Sequence, residues 1–244
     1  MKPFLFLATR DDDEPADTEY EAFLARTGLE ESSLVRLRLE AEPLPEVDLE
    51  DWSGILVGGS PFNASTPEEL KSATQLRVEA ELGRLLDRVV EADFPFLGAC
   101  YGVGTLARHQ GAVIDTTYRE EVGAPDITLT LAGREDPICA GIPEVFQAFV
   151  AHKEAVTVPP ANAVVLATGQ DCPIQIFRVR SNLYATQFHP ELDGDYLAHR
   201  LSFYANHGYF VPDELPALQA RVRAQDVSDS WKVLSNFVQI HARD

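Results

Sequence analysis

The chain has 244 residues, 45% of them hydrophobic, enough for one large domain or two small ones with a sizeable core. Its net charge is −19 and its Lys and Arg are interleaved with acids rather than gathered in a basic patch, which argues against nucleic-acid binding. No run of about 18 apolar residues exists, so no membrane span or membrane partner is expected. The apolar opening, Met1-Lys2-Pro3-Phe4-Leu5-Phe6-Leu7-Ala8, is too short for a signal peptide before charged residues begin at Arg10. The three cysteines, Cys100, Cys139 and Cys172, are widely spaced and odd in number, which speaks against a disulfide framework and for a cytoplasmic protein. No pair of them has zinc-ligand spacing, and neither metal nor cofactor is expected.

In chain order, residues 4–8 predict a first core strand. A helix is expected over residues 17–26, with Tyr20, Phe23 and Leu24 on one face and Gly28 as its stop. Residues 33–39 alternate as a strand does, and Gly54-Ile55-Leu56-Val57-Gly58-Gly59 reads as a buried strand ending in a glycine turn. Thr66 as N-cap, Pro67 at the first helical position and Glu69 three residues past the cap predict a helix start. That helix runs to about residue 91 and buries Val78, Leu82, Leu85, Leu86 and Val89. Phe94-Pro95-Phe96-Leu97 then gives another buried strand. This alternation implies a parallel sheet covered on both faces. From residue 111 the rhythm changes to short apolar runs, at 112–114, 127–130, 145–150, 156–158, 164–167, 174–179 and 183–188, which predict antiparallel or mixed strands. Helices return after Glu191, with Tyr196, Leu197, Leu201 and Tyr204 on one face, and again near residues 213–224 and 228–241.

The chemistry gathers at Gly98-Ala99-Cys100-Tyr101-Gly102. Glycines two positions on either side of a cysteine, after a buried strand and before a helix, give the spacing of a nucleophile elbow. The turn is sharp enough to call for residues without side chains, and the helix N-terminus that follows favours the thiolate. A buried structural cysteine at a tight turn is the alternative. A thiol nucleophile needs a base and a group to orient that base. His189, in Gln187-Phe188-His189-Pro190-Glu191, stands out among six histidines. Pro190 holds His189 extended, and residues two apart in an extended segment point the same way, so His189 and Glu191 project together. Glu191, Asp193 and Asp195 read as first-turn acids of a helix rather than as metal ligands. An oxyanion hole requires the N–H of Tyr101 and a second donor from another loop at the same sheet edge, for which Gly58-Gly59 is placed.

Together these motifs resemble the class I (triad) glutamine amidotransferase family, in particular the glutaminase domain of GMP synthase and its stand-alone relatives. The likeness covers roughly residues 4–206, and Ala151-His152-Lys153-Glu154-Ala155-Val156 and Glu121-Val122-Gly123 resemble further family segments. The resemblance implies an α/β, flavodoxin-like fold: a mostly parallel twisted sheet with helices on both faces, an added antiparallel section and C-terminal helices. Residues 1–207 would form the amidotransferase domain and residues 208–244 a helical extension packed on it. It implies that Cys100 attacks the γ-carboxamide of glutamine or a related γ-glutamyl compound, releasing ammonia. His189 would protonate the leaving amine, Glu191 would orient His189, and the Tyr101 and Gly59 N–H groups would hold the oxyanion. The chain departs from the family at Gly104, where a glutamine that helps bind substrate is usual. Residues 208–244 are too few for a synthetase, so an acceptor or synthetase subunit is expected on another chain. A γ-glutamyl peptidase-type hydrolase, a catalytically silent binding module and a redox-sensing cysteine are the alternatives.

Overall fold

The computed structural model describes residues 1–204 and 210–244. The first part of the chain alternates as expected: β1 (Phe4–Ala8), α1 (Asp13–Thr27), β2 (Leu34–Arg38), β3 (Gly54–Val57), α2 (Ala73–Ala92), β4 (Phe96–Ala99) and α3 (Tyr101–His109). Short strands follow: β5 (Val113–Asp115), β6 (Glu120–Gly123) and β7 (Asp126–Leu129), then the one-turn helix α4 (Leu131–Glu135). After it come β8 (Val145–Gln147), β9 (Val150–His152), β10 (Ala155–Val158), β11 (Ala163–Gly169), β12 (Ile176–Val179) and β13 (Leu183–Thr186). Helices α5 (Gly194–Phe203), α6 (Leu215–Arg223) and α7 (Lys232–His241) close the chain.

A nine-stranded sheet organises the molecule, in the order β2-β1-β3-β4-β13-β12-β11-β7-β8. From β2 to β13 every neighbour is parallel. From β13 to β8 every neighbour is antiparallel. The fold is α/β and flavodoxin-like. The reason for two covered faces is visible in β1, whose five residues are all buried. Phe4, Phe6 and Ala8 join one core with Phe23 of α1 and Val233, Leu234 and Phe237 of α7. Leu5 and Leu7 point the other way, into a core with Val78, Leu82, Leu85, Leu86 and Val89 of α2 and Leu106 of α3. A strand buried on both sides reads as a continuous apolar run, as this one does. A third apolar cluster joins Leu197, Ala198 and Leu201 of α5 to Leu218 and Val222 of α6. The expected boundary between residues 207 and 208 lies outside the described residues. No helix among the described residues is long and apolar enough to cross a membrane.

Several expectations are corrected. The helix forecast from Thr66 begins at Ala73: residues 68–70 form a 3-10 turn, and Ser72, not Thr66, is the cap, its hydroxyl accepting the Gln75 N–H at 3.1 Å. The break lies at Lys71, whose extended backbone carries its ammonium to the Ala64 carbonyl at 3.1 Å and to Glu79. The run 145–150 is two strands, β8 in the large sheet and β9 paired with β6. Strand β6 (Glu120–Gly123) lies between the apolar runs 112–114 and 127–130, which did not indicate it. Helix α1 starts earlier than its apolar face indicated, and stops where expected, with Gly28 at φ 71° and its N–H on the Leu24 carbonyl.

Candidate active site

Strand β4 lies between β3 and β13, so all three end at one edge of the sheet. Cys100 follows β4 directly and adopts φ 51°, ψ −89°, a conformation rare for a residue with a side chain. Such strain costs about 1–3 kcal/mol and persists only where the surroundings impose it. Here the Cys100 N–H is held by the Thr186 carbonyl at 2.8 Å, and α3 starts at the next residue. A Cβ at Gly98 would lie 2.5 Å from the Gly102 Cα, so Gly98 must be glycine. Gly102 is different: a Cβ there would meet nothing closer than 3.7 Å, so the turn constrains one of the two flanking residues rather than both. The Tyr101 and Gly102 N–H groups open α3 and have no acceptor within the helix.

Because β13 pairs with β4, with Thr186 opposite Ala99, the residues after β13 reach the same edge. The His189 N–H bonds the Phe149 carbonyl at 2.9 Å, which fixes this loop. His189 Nδ1 donates to Glu191 Oε1 at 2.8 Å, which leaves Nε2 for the Cys100 thiol, near enough to favour the charged ring. Burial alone would lower the His189 pKa; the charges of Glu191 and Cys100 outweigh it and raise it to about 9. Burial would raise that of Glu191, but His189 and Arg200 hold it well below the ordinary carboxylate range. The structure therefore brings Cys100, His189 and Glu191 together. Cys139 and Cys172 are buried elsewhere, and burial pushes each thiol up to about 12.

Gly58 and Gly59 stand at the same edge, yet their N–H groups do not face the cleft. The Gly58 N–H bonds the Leu7 carbonyl at 3.2 Å, and that of Gly59 bonds Glu19 Oε1 at 3.2 Å. Their role is to make room: a Cβ on Gly58 would lie 2.6 Å from Glu19 Oε2, and one on Gly59 2.7 Å from Arg10 Nη2 and 2.8 Å from His189 Cε1. The next N–H along this turn is that of Ser60, which lines the cleft. The cleft itself runs from the elbow between residues 60–63, residues 149–155 and the α5 residues Leu197 and Leu201. At Gly104 a Cβ would lie 3.0 Å from the Ala64 methyl and 3.4 Å from Glu154 Oε1. Glu154, also in the cleft wall, accepts the Ala64 and Ser65 N–H groups at 2.6 and 2.8 Å.

The residues that sequence reasoning missed are Arg10, Glu19 and Arg200. Arg10 follows β1 at the ligand-bearing edge of an open α/β sheet, a position that carries a signal. Nothing local marks Glu19 or Arg200. A second missed cluster is Glu120, His152 and Cys172, whose ligand atoms lie within 4.8 Å of one another. Hydrogen bonds account for two of its members: Glu120 Oε2 is bonded by His152 Nε2 at 2.8 Å and by Gln175 Nε2 at 2.7 Å, and His152 Nδ1 bonds the Glu154 carbonyl at 3.0 Å.

A model of the class-I glutamine amidotransferase family matches residues 17–205. The chain is 29% identical over 183 residues to a GMP synthase (glutamine-hydrolyzing) of Edwardsiella ictaluri, covering 72% of this chain and 32% of that protein. It thus spans about a third of the length of that relative. A glutamine amidotransferase structure from Thermotoga maritima superposes with a TM-score of 0.75 at 18% identity, over 99% of this chain and 98% of that one. One from Methylobacillus flagellatus gives 0.71 at 17% identity, over 100% and 97%.

Proposed function

We propose, for a chain that belongs to the class I glutamine amidotransferase family, that Cys100, His189 and Glu191 hydrolyse the γ-carboxamide of glutamine or of a related γ-glutamyl amide. The observation that carries this reading is the placement of His189 between the Glu191 carboxylate and the elbow thiol. In this reading Cys100 Sγ attacks the amide carbon. The oxyanion takes the N–H of Tyr101 and that of Ser60, not that of Gly59, which Glu19 occupies. His189 gives its proton to the nitrogen, the C–N bond breaks, and ammonia leaves a γ-glutamyl thioester. Water then loses a proton to His189, attacks the thioester, and releases glutamate and the thiol. Glu191 holds the imidazole in the tautomer that serves both steps.

Glu154, beside Gly104, fits the group that takes the substrate ammonium, its carboxylate kept in place by two backbone N–H groups. A peptidase-type reading, in which the scissile nitrogen carries a substituent, draws on Gly104, which replaces the family's usual glutamine and where a Cβ would already crowd Ala64 at 3.0 Å. The ammonia acceptor in the first reading would lie in a synthetase part, since this chain matches about a third of the GMP synthase relative. The test is release of ammonia from glutamine and of the amine from γ-glutamyl-p-nitroanilide. At least one is expected for the wild type, and neither for folded Cys100→Ala. Equal turnover by Cys100→Ala would overturn the reading.

A further inference from the structure

We propose that Arg200, Glu19 and Arg10 form one positioning unit that ties the Glu191 carboxylate to the Gly58-Gly59-Ser60 turn. It rests on the reading of Cys100 and His189 given above. The contacts run without a gap. Arg200 Nη1, from α5, bonds Glu191 Oε1 at 3.1 Å, and its Nη2 lies 3.7 Å from Glu19 Oε1. Glu19, from α1, accepts with that same oxygen the Arg10 Nε–H at 2.9 Å and the Gly59 N–H at 3.2 Å. Arg10 donates onward to the Tyr204 hydroxyl at 2.8 Å. The side chains of Arg10, Glu19, Arg200 and Glu191 are 5%, 0%, 8% and 0% exposed.

Two buried ion pairs are an expensive way to fill space, since apolar residues of similar size are often as stable or more so. Their placement is what sets them apart. Among the described residues, Glu191 and Glu19 are each held through one shared oxygen, Oε1. Glu191 Oε1 serves both His189 and Arg200. Take Arg200 away and, among the described residues, the Glu191 carboxylate keeps its bond to the imidazole and loses its bond to the guanidinium. Take the Glu19 charge away and two guanidinium groups are left against one carboxylate beside His189, while the Gly59 N–H loses an ionic acceptor.

Among the described residues, the charged and titratable groups around His189 are Cys100 from the elbow, Glu191 from its own loop, Arg200 from α5, and Arg10 and Glu19 from the β1 end and α1. Removing the Arg200 cation should strengthen the hold of the imidazole on its proton; removing the Glu19 anion should weaken it. The two changes act in opposite directions, which a purely structural role would not produce.

The experiment is the pH profile of Cys100 alkylation by iodoacetamide, read by intact mass, with kcat and KM on whichever γ-glutamyl amide is turned over. The inflection that reports His189 losing its proton should move up in Arg200→Met and down in Glu19→Gln, by on the order of one pH unit each. In both variants kcat should fall roughly tenfold with KM kept, and Arg200→Lys should restore part of it. If Arg200→Met does not fold, Glu19→Gln and Arg200→Lys carry the test. A wild-type inflection that His189→Gln removes but that Glu19→Gln and the Arg200 variants leave in place overturns this proposal alone. A wild-type profile that His189→Gln does not alter overturns the nucleophile reading as well.

Discussion

His189 and His152 both line the same cleft and look alike at first contact. Both are buried, at 6% and 4% exposure, and both hold a glutamate oxygen at 2.8 Å. They differ in the other ring nitrogen. In His152 it is bound to the Glu154 carbonyl at 3.0 Å, so the ring is committed at both ends. In His189 it meets the thiol of Cys100, a group that can give up and take back a proton. A histidine–carboxylate pair is thus a structural strut or an acid–base device according to what the second nitrogen faces.

The largest effect should come from replacing the two histidines in turn. His189→Gln should lower γ-glutamyl amide turnover by about 10²–10⁴-fold. His152→Gln should leave turnover within about tenfold and lower stability by about 1–3 kcal/mol, because Glu120 loses a buried donor. Turnover and urea unfolding of both variants check this; equal losses of activity would erase the distinction. A smaller effect concerns pH. The folded His189 pKa, about 9, lies above its unfolded value of 6.5. Its contribution to stability is therefore complete below pH 6.5 and lost as pH rises through about 9. Urea midpoints should fall across that interval in the wild type and be flatter in His189→Gln. Parallel declines would place the pH dependence elsewhere.

How much of this the sequence made legible follows the range of the contacts. The elbow and His189-Pro190-Glu191 are local: a glycine two residues before a cysteine, and a proline that keeps two side chains on one side of an extended segment. The parallel strands were legible because they are apolar throughout and separated by amphipathic helices. What was missed depends on distant partners. Arg10 meets Tyr204 across 194 positions of sequence, and Glu19 reaches Gly59 across 40. A glutamate on the face of α1 carries no mark of such a role. The oxyanion turn shows the same limit: the glycines were singled out as N–H donors to a ligand, but Leu7 and Glu19 take those N–H groups. The start of α2 went astray because Thr66-Pro67 and Ser72 both satisfy local capping rules, and the inward turn of Lys71 toward Ala64 and Glu79 selects between them.

The most direct test of the central claim is to trap Cys100 with 6-diazo-5-oxo-norleucine, a glutamine-like diazoketone, and to read intact mass for wild type and Cys100→Ala. One adduct in the wild type and none in the variant is the predicted result, and would show a reactive thiol in a pocket that admits a glutamine skeleton. No wild-type adduct, or an adduct that survives Cys100→Ala, would contradict it.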